Sequence, residues 1–387
     1  MPRSPFQRTP LAAGPGFADR TAELARVVHA LSSPGAALVL YGPRRMGKSA
    51  LLHEAARRAA ERRHRVAIVD LATAVDAPDA VRRLLVAVRG AVGHTWQSLL
   101  HAVASKLQLS VTFTPNADPA GLPGISLGVD APASVRAGLF TDALAAIDTE
   151  LARRKMNLAL GIDEFQRLLA WGGDDVEWAL KAALERSNRI AWVMSGSATT
   201  LIEDMVTNRQ RALWKLADHL RLGPVPPDEF AEWIAARAAR GPGRIPPPVA
   251  QDIVRLAGPR TRDIIQLAHA TWRLASMSGL VADASAALDD VVRETAAPYE
   301  QTWLQLTQRE QRILRLLAVR PDTALTAEAT RRTHALGAAS SIGISIAGLR
   351  KKGVIVDERG QPRFDDPFFR RWVELGTRDD LQPMAGG

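Results

Sequence analysis

Short apolar runs alternate with amphipathic stretches along the first 225 residues. Residues 36–41, 156–162 and 190–194 are almost uninterrupted apolar runs of strand length, a pattern typical of strands that are buried on both faces of a sheet. The stretches between them carry apolar residues at helical spacing. This alternation predicts an α/β domain with a parallel sheet.

Glycine and proline divide the rest of the chain. Gly-Pro-Val-Pro-Pro at residues 223–227 ends the α/β pattern, and helical patterns follow it. An irregular stretch lies between two alternating runs inside the α/β domain and predicts an inserted β-hairpin. The predicted segments are a flexible N-terminal arm (1–16), the α/β domain (17–225, with the hairpin at 109–133), a helical segment (226–295), a module of three helices and a hairpin (300–378), and a frayed tail (379–387).

A glycine-rich loop joins the first apolar run to a helix. Its sequence is Gly42-Pro43-Arg44-Arg45-Met46-Gly47-Lys48-Ser49, and Ala50 opens the helix. Glycines let the backbone wrap phosphates, and the helix N-terminus adds a favourable dipole. In this G-x-x-x-x-G-K-S context, Lys48 reaches the β- and γ-phosphates and Ser49 ligates magnesium. The loop predicts an α/β P-loop NTPase that binds ATP and Mg²⁺. The alternative, a glycine-rich turn with a surface lysine, does not require this strand–loop–helix context.

The second apolar run ends in two acids, Asp163 and Glu164. A carboxylate at the carboxyl end of a strand beside the P-loop strand can hold magnesium through water, which is the role predicted for Asp163. The adjacent Glu164 can polarise the attacking water as a general base. The structural alternative is that one of these acids caps the helix that follows. Both interpretations can hold together.

The third apolar run is followed by serines and a threonine. Because ligands gather at the carboxyl ends of parallel strands, a polar residue here can sense the γ-phosphate and orient water. Ser197 is the candidate, with Ser195 close behind it in the sequence. The alternative is that Ser197 or Thr199 is a helix N-cap.

Composition narrows the classes of partner. The 387-residue chain has no cysteine, which excludes a disulfide framework and cysteine-ligated zinc and is compatible with a cytoplasmic protein. No apolar run approaches the ~20 residues that span a bilayer, so no membrane partner is predicted. The net charge of +9 favours nucleic acid as a partner, although genome base composition alone can produce an arginine-rich chain.

The C-terminal pattern of three helices and a hairpin predicts a winged helix, whose third helix can enter a major groove. The third helix has no base-reading arginine or asparagine before its end, so we expect non-specific contact with the backbone of double-stranded DNA. A winged helix can also dock a protein, and this alternative stays open. The residues that would face phosphates are Arg350, Lys351, Lys352, Arg359 and Arg363.

These motifs, taken together, resemble the archaeal-type P-loop ATPases, which are related to the STAND and origin-recognition ATPases of the AAA+ class. The resemblance covers roughly residues 17–375. It rests on Phe17-Ala18-Asp19-Arg20, on Gly42 to Ser49, on Gly161-Ile162-Asp163-Glu164-Phe165-Gln166, and on Asp366-Pro367-Phe368-Phe369-Arg370-Arg371-Trp372 near the C-terminus.

The resemblance implies further site residues. Phe17 and Arg20 would lie near the adenine, and residues 226–295 would form a lid over the nucleotide. A lid arginine, either Arg260 or Arg262, would contact the γ-phosphate. Arg211, or Arg209 beside it, would act on the ATP of a neighbouring subunit, although Trp214-Lys215-Leu216 replaces the usual family triplet there. The alternative for each arginine is a solvated helix surface.

The sequence therefore predicts an ATP-hydrolysing AAA+-type switch that binds DNA. Two other functions stay open. One is a STAND-type signalling ATPase whose nucleotide gates assembly, with a homo-oligomer or a partner protein as the product. The other is an ATPase partner of a mobile-element or defence system.

Overall fold

The computed structural model describes residues 4–6, 17, 20–93, 96–107, 110–117, 123–128, 133–197, 199–239, 243–279, 281–358 and 360–379. The strands within these ranges are β1 (Ala37–Tyr41), β2 (Val66–Asp70), β3 (Ser110–Ala117), β4 (Pro123–Gly128), β5 (Leu158–Asp163), β6 (Ile190–Gly196), β7 (Asp218–Arg221), β8 (Ile355–Glu358) and β9 (Gln361–Phe364). The helices are α1 (Thr21–Leu31), α2 (Lys48–Glu61), α3 (Ala77–Val92), α4 (Trp96–Lys106), α5 (Ala133–Arg153), α6 (Leu169–Arg186), α7 (Thr199–Thr207), α8 (Pro227–Arg237), α9 (Pro247–Ala257), α10 (Thr261–Ser278), α11 (Ala284–Glu294), α12 (Ala296–Leu304), α13 (Gln308–Val319), α14 (Glu328–Thr333), α15 (Ala339–Lys351) and α16 (Pro367–Asp379).

A five-stranded parallel sheet has the order β2-β5-β6-β1-β7. The predicted α/β fold is confirmed, but one detail of the prediction was wrong. The strand that carries the acid pair, β5, is not beside the P-loop strand β1, because β6 lies between them. The register aligns Asp163 with Ser195 on β6 and aligns Tyr41 with Gly196. The loops that carry the predicted chemistry therefore leave the sheet at one edge.

Both faces of the sheet are covered by helices, which explains why its strands read as almost continuous apolar runs. Leu38 and Leu40 pack with α1 and α2 on one face. Val39, Trp192 and Met194 pack on the other face with α3 to α7. All residues of β5 and β6 are buried, as the apolar runs predicted for strands that are buried on both faces of a sheet.

The inserted hairpin of the sequence prediction corresponds to an antiparallel pair, β3 and β4, which forms its own two-stranded sheet. The connection between these strands lies outside the described residues. The pair is separate from the five-stranded sheet and does not alter the order of its strands.

The chain divides into two compact units. One contains residues 9–225, and the other contains residues 226–387 together with residues 1–8. The helical segment and the winged-helix module, predicted as separate domains, thus belong to one unit. Within it, α16 of the module packs against α11 of the helical segment as well as against α13.

The winged-helix module has the predicted order of three helices and a hairpin. Its first helix, α13, begins at Gln308. A capping box is the physical reason: the Thr307 side chain accepts from the Glu310 N–H, and the Glu310 carboxylate accepts from the Thr307 N–H. This arrangement satisfies two N–H groups at the helix start. Leu304 belongs to the preceding helix and is 80% exposed.

The N-terminal arm was predicted to be flexible, and this is wrong for residues 4–6. The Phe6 ring is buried, lies 5.9 Å from the Trp233 ring and belongs to the unit that contains residues 226–387. The Pro5 carbonyl accepts from Arg237, and Ser4 lies 3.0 Å from the His269 ring nitrogen. Residues 7–16 and the predicted tail from 380 onward lie outside the described residues.

No helix among the described residues combines the length and the apolar character needed to cross a membrane.

Candidate functional site

The P-loop leaves β1 through a glycine that no other residue could replace. The Leu222 N–H donates to the Tyr41 carbonyl at 2.6 Å, which brings the backbone of residue 222 against Gly42. A Cβ at position 42 would lie 2.3 Å from the Leu222 oxygen, and Gly42 has φ +156°. Gly47 has a left-handed conformation, φ 89°, immediately before α2. Only glycine adopts both conformations without strain.

Lys48 lies at the start of α2 and is almost fully buried. Its Nζ donates to the Gly42 carbonyl at 2.9 Å and to the Pro43 carbonyl at 2.7 Å. Burial lowers the pKa of Lys48, and the nearby charges of Glu164 and Asp163 oppose that effect. The lysine is therefore placed close to both acids.

Ser49 and Asp163 meet at the same edge of the sheet. The Ser49 and Ser195 hydroxyls lie close to the Asp163 carboxylate. Burial raises the pKa of Asp163 above its ordinary value, and the charges of Glu164 and Asp70 add to this rise, while the two hydroxyls oppose it. A hydroxyl and a carboxylate are hard oxygen ligands of the kind that magnesium takes together with water and phosphate oxygens. The residues present fit that ion.

Glu164 has a left-handed backbone, φ 54° and ψ 40°. Such a conformation is uncommon for a residue with a Cβ and is often found at functional sites. The Glu164 side chain does not cap the short helix that follows, and neither does Asp163, whose carboxylate accepts from the Glu164 N–H at 3.1 Å. The helix-cap alternative for the acid pair does not describe this structure.

Two side chains hold one oxygen of the Glu164 carboxylate. The Ser197 hydroxyl donates to Oε2 at 2.8 Å, and the Gln166 amide donates to the same oxygen. The sequence indicated Ser197 as a candidate, whereas no local pattern assigned a function to Gln166. A Cβ at Gly196 would lie 2.3 Å from the Gln166 oxygen. The Gln166 position thus depends on a glycine of a neighbouring strand, a relation that no local pattern reveals.

Arg20 lies against the backbone of the P-loop. Arg20 as a whole is only 6% exposed. Its guanidinium donates to the Met46 carbonyl of the P-loop at 3.1 Å and to the Gly223 carbonyl at 2.8 Å. It also pairs with Glu23. Arg20 therefore connects the P-loop backbone to the end of the α/β unit. Phe17 packs beside α1 and α2, and Ala18 and Asp19 lie outside the described residues.

The two lid candidates differ in their surroundings. Arg260 precedes α10 and donates to both the carboxylate and the carbonyl of Asp365, which lies between β9 and α16. Burial on its own lowers the pKa of Arg260, but the bond to Asp365 and the charges of Asp365, Asp263 and Asp366 together raise it above its ordinary value. Arg262 is exposed in the first turn of α10.

Arg211 is engaged within its own chain. It pairs with the buried Glu177 at 2.5 Å and also reaches Asp174 and Asp204. Arg209 lies over the Trp214 ring at 5.9 Å. Arg211 thus neutralises a buried carboxylate, a structural role that the sequence did not indicate.

The basic residues of the winged helix are mostly paired with acids. Arg350 pairs with Asp357, Lys352 with the capping-box residue Glu310, and Arg363 with Asp322. Lys351 is exposed at the end of α15, and Arg359 lies outside the described residues.

Comparisons with known proteins agree with this geometry. A family model described as "ATPase domain predominantly from Archaea" matches residues 17–237, and a second model, "probable winged helix domain", matches residues 297–375. The first match covers more than half of the chain. No match was found among the curated proteins.

Solved structures share the fold. The Walker-type ATPase of Pyrococcus abyssi is 18% identical with a TM-score of 0.57, over 96% of this chain and 99% of that one. The ORC2 protein of Aeropyrum pernix, solved with ADPNP and ADP, is 16% identical with a TM-score of 0.57, over 97% and 98%. The ORC1 protein of the same organism in complex with DNA is 16% identical with a TM-score of 0.50, over 94% and 93%. This chain belongs to the family of ATPase domains found predominantly in Archaea and carries a C-terminal winged helix.

Proposed function

We propose that this protein binds ATP with Mg²⁺ and hydrolyses it to ADP and phosphate. The observation that supports this most directly is the meeting of Lys48, Ser49, Asp163 and Glu164 at one edge of the sheet. These residues come from two loops that are more than 100 positions apart in the sequence. Lysine, hydroxyl and two carboxylates are the groups that phosphoryl transfer to water requires.

Each side chain has a separate task in this proposal. Lys48 exchanges its two carbonyl partners for phosphate oxygens. Ser49 and Asp163 would hold the magnesium ion, which would supply positive charge to those oxygens. Glu164 accepts the proton of the attacking water as the general base. Ser197 and Gln166 bind Oε2 of that carboxylate and so orient it, while Oε1 remains for the water.

The test is Glu164→Gln. We expect kcat to fall about 100-fold or more, since a positioned general base contributes about 10²–10⁴, while ADP affinity remains within about twofold. Glu185→Gln is the matched control because Glu185 is an exposed glutamate that pairs with Lys181 at the surface. Retained turnover in Glu164→Gln would remove Glu164 as the base. Lys48→Ala should lose both binding and turnover.

For the lid arginine, the surroundings favour Arg262. Arg260 is committed to Asp365, whereas Arg262 is exposed. We expect Arg262→Ala to lower kcat for ATP more than Arg260→Ala does, and the reverse order would reassign the role to Arg260. The same argument disfavours Arg211 as a finger toward a neighbouring subunit, because its guanidinium pairs with the buried Glu177.

The second part of the proposal is non-specific DNA binding by the winged helix. Ion pairs between exposed groups are worth about 0–1 kcal/mol, so Arg350 can exchange Asp357 for a phosphate. Lys352 is less available, since its partner Glu310 is buried in the capping box. In a salt titration of duplex binding, Arg350→Gln/Lys351→Gln should weaken affinity and lower the slope of log K against log salt by up to about 2. Unchanged affinity and slope would refute this part.

Protein docking stays as a second candidate because of one observation. Ile344, in the middle of α15, is 74% exposed, where a groove-reading helix would carry a polar side chain. Ile344→Asp that abolishes self-association in sedimentation, with unchanged DNA affinity, would favour docking.

A further inference from the structure

A cavity of about 220 Å³ lies at the amino ends of the sheet strands. It is lined by the turn before β2, the turn before β5 and the starts of β5 and β6. The P-loop and the acid pair lie at the carboxyl ends of the strands. The length of β5 is about five residue steps, so the two sites are separated by roughly 17 Å of strand. The cavity is therefore distinct from the ATP site.

The lining of this cavity is basic. Arg63, Arg65 and Lys155 contribute to it together with His64 and Asn157, and no carboxylate does. Arg63, Arg65 and Lys155 are exposed. Among the described residues, no carboxylate or carbonyl accepts a hydrogen bond from the side chains of these three residues. Three positive charges thus face one open cavity without compensation by side chains.

Helix ends account for only part of this charge. Arg63 and Lys155 have left-handed φ values of 65° and 53° and follow α2 and α5, where a cation interacts favourably with the helix C-terminus. Arg65 follows the turn and directly precedes β2. The surplus positive charge is therefore available to an external anion.

We propose that this cavity, with Arg63, Arg65 and Lys155, binds the phosphate backbone of nucleic acid. The basic turns lie at the ends of adjacent strands, β2 and β5, and the cavity extends to β6. Adjacent strands lie about 5 Å apart, and the phosphates of a duplex recur about every 3.4 Å of helix axis along each strand. Three cations on two neighbouring turns therefore fit a polymer of phosphates better than a single small anion.

This site goes beyond the function proposed above, since it requires neither ATP hydrolysis nor the winged helix. It gives the α/β unit its own contact with nucleic acid. Because backbone contacts carry no sequence information, the contact is non-specific.

The test measures the affinity of the full chain for duplex DNA of random sequence in titrations at several salt concentrations. The variant is Arg63→Asn/Lys155→Asn, which removes two charges, and asparagine tolerates the left-handed conformation at both positions. The matched control, Arg244→Gln/Arg293→Gln, removes two exposed arginines elsewhere in the chain. We expect the first variant to lose about 10-fold or more in affinity at ~0.1 M salt and to lower the salt slope by about 2, with the control within about twofold of wild type.

Equal losses in both double variants, or no loss in the first, would overturn the proposal. ATP turnover without DNA is measured on the same samples and should be unchanged in both variants, which shows that they are folded. Loss of affinity only in Arg350→Gln/Lys351→Gln would leave the winged helix as the DNA site and overturn the cavity. Loss of ATP turnover in Glu164→Gln bears on the ATPase proposal alone and leaves the proposal for the cavity unaffected.

Discussion

The bond between Arg260 and Asp365 connects the helical segment to the winged helix, and its removal should cost measurable stability. The Arg260 side chain is 12% exposed and that of Asp365 is 28% exposed. In Asp365→Ala, the guanidinium keeps the backbone carbonyl of residue 365 but loses its carboxylate. A hydrogen bond to a charged group contributes about 1.5–3 kcal/mol. Partial exposure of Asp365 places the expected loss near the lower end of that range, at about 1.5 kcal/mol.

This loss should be visible in thermal unfolding. For a unit of this size, 1 kcal/mol shifts Tm by about 2–4 °C, so Asp365→Ala should unfold about 3–6 °C lower by calorimetry. Asp322→Ala is the control, since Asp322 is 84% exposed and pairs with Arg363 at the surface. We expect its shift to be under about 2 °C, because exposed pairs contribute about 0–1 kcal/mol. Equal shifts for the two variants would show that burial does not set the strength of the Arg260 pair, and the reasoning would fail.

Three further outcomes are expected. Asp163→Asn should raise Tm at pH 7.5 but not at pH 4. Burial, with the charges of Glu164 and Asp70, raises the pKa of Asp163 in the folded protein. Ionisation of Asp163 therefore costs stability only above the ordinary aspartate pKa of about 4. A similar gain at both pH values would contradict this sign. Ser197→Ala should lower kcat about tenfold and change KM for ATP less than twofold, because the Ser197 hydroxyl orients the Glu164 carboxylate. A kcat at or above that of wild type would mean that this hydrogen bond restrains the base instead. Phe6→Ala should destabilise the unit of residues 226–387 by up to about 3 kcal/mol, as loss of a buried aromatic ring does, and an unchanged Tm would show that residues 4–6 do not anchor the N-terminus.

Most of the local structure could be read from the sequence. Strands β1, β5 and β6 correspond to the apolar runs 36–41, 156–162 and 190–194. These runs were recognisable because strands that are covered on both faces of a sheet are apolar throughout. The P-loop was recognisable because its chemistry depends on consecutive residues. The winged helix could be predicted from the helical spacing of apolar residues and from the hairpin that follows the third helix. These features need only local information.

The partners of individual side chains were decided by the tertiary structure. Arg20 bonds to Gly223 across 203 positions, and Arg260 bonds to Asp365 across 105. The resemblance implied a place near the nucleotide for each of these arginines. In the structure, Arg20 donates to two backbone carbonyls and Arg260 donates to the Asp365 carboxylate. A long, flexible cation can satisfy its charge with any carboxylate or carbonyl that the fold brings near, so its partner cannot be read from its neighbours in the chain.

By itself, the sequence determined that the chain has a phosphate-binding loop, an acid pair at a strand end and a C-terminal winged helix, because each of these is written in contiguous residues. Only the tertiary structure inserted β6 between the two strands of the site, and that insertion brought Ser197 to Glu164. It also gathered Arg63, Arg65 and Lys155 around one cavity. Strand order and the meeting of distant turns depend on long-range packing, for which a single sequence carries no local signal.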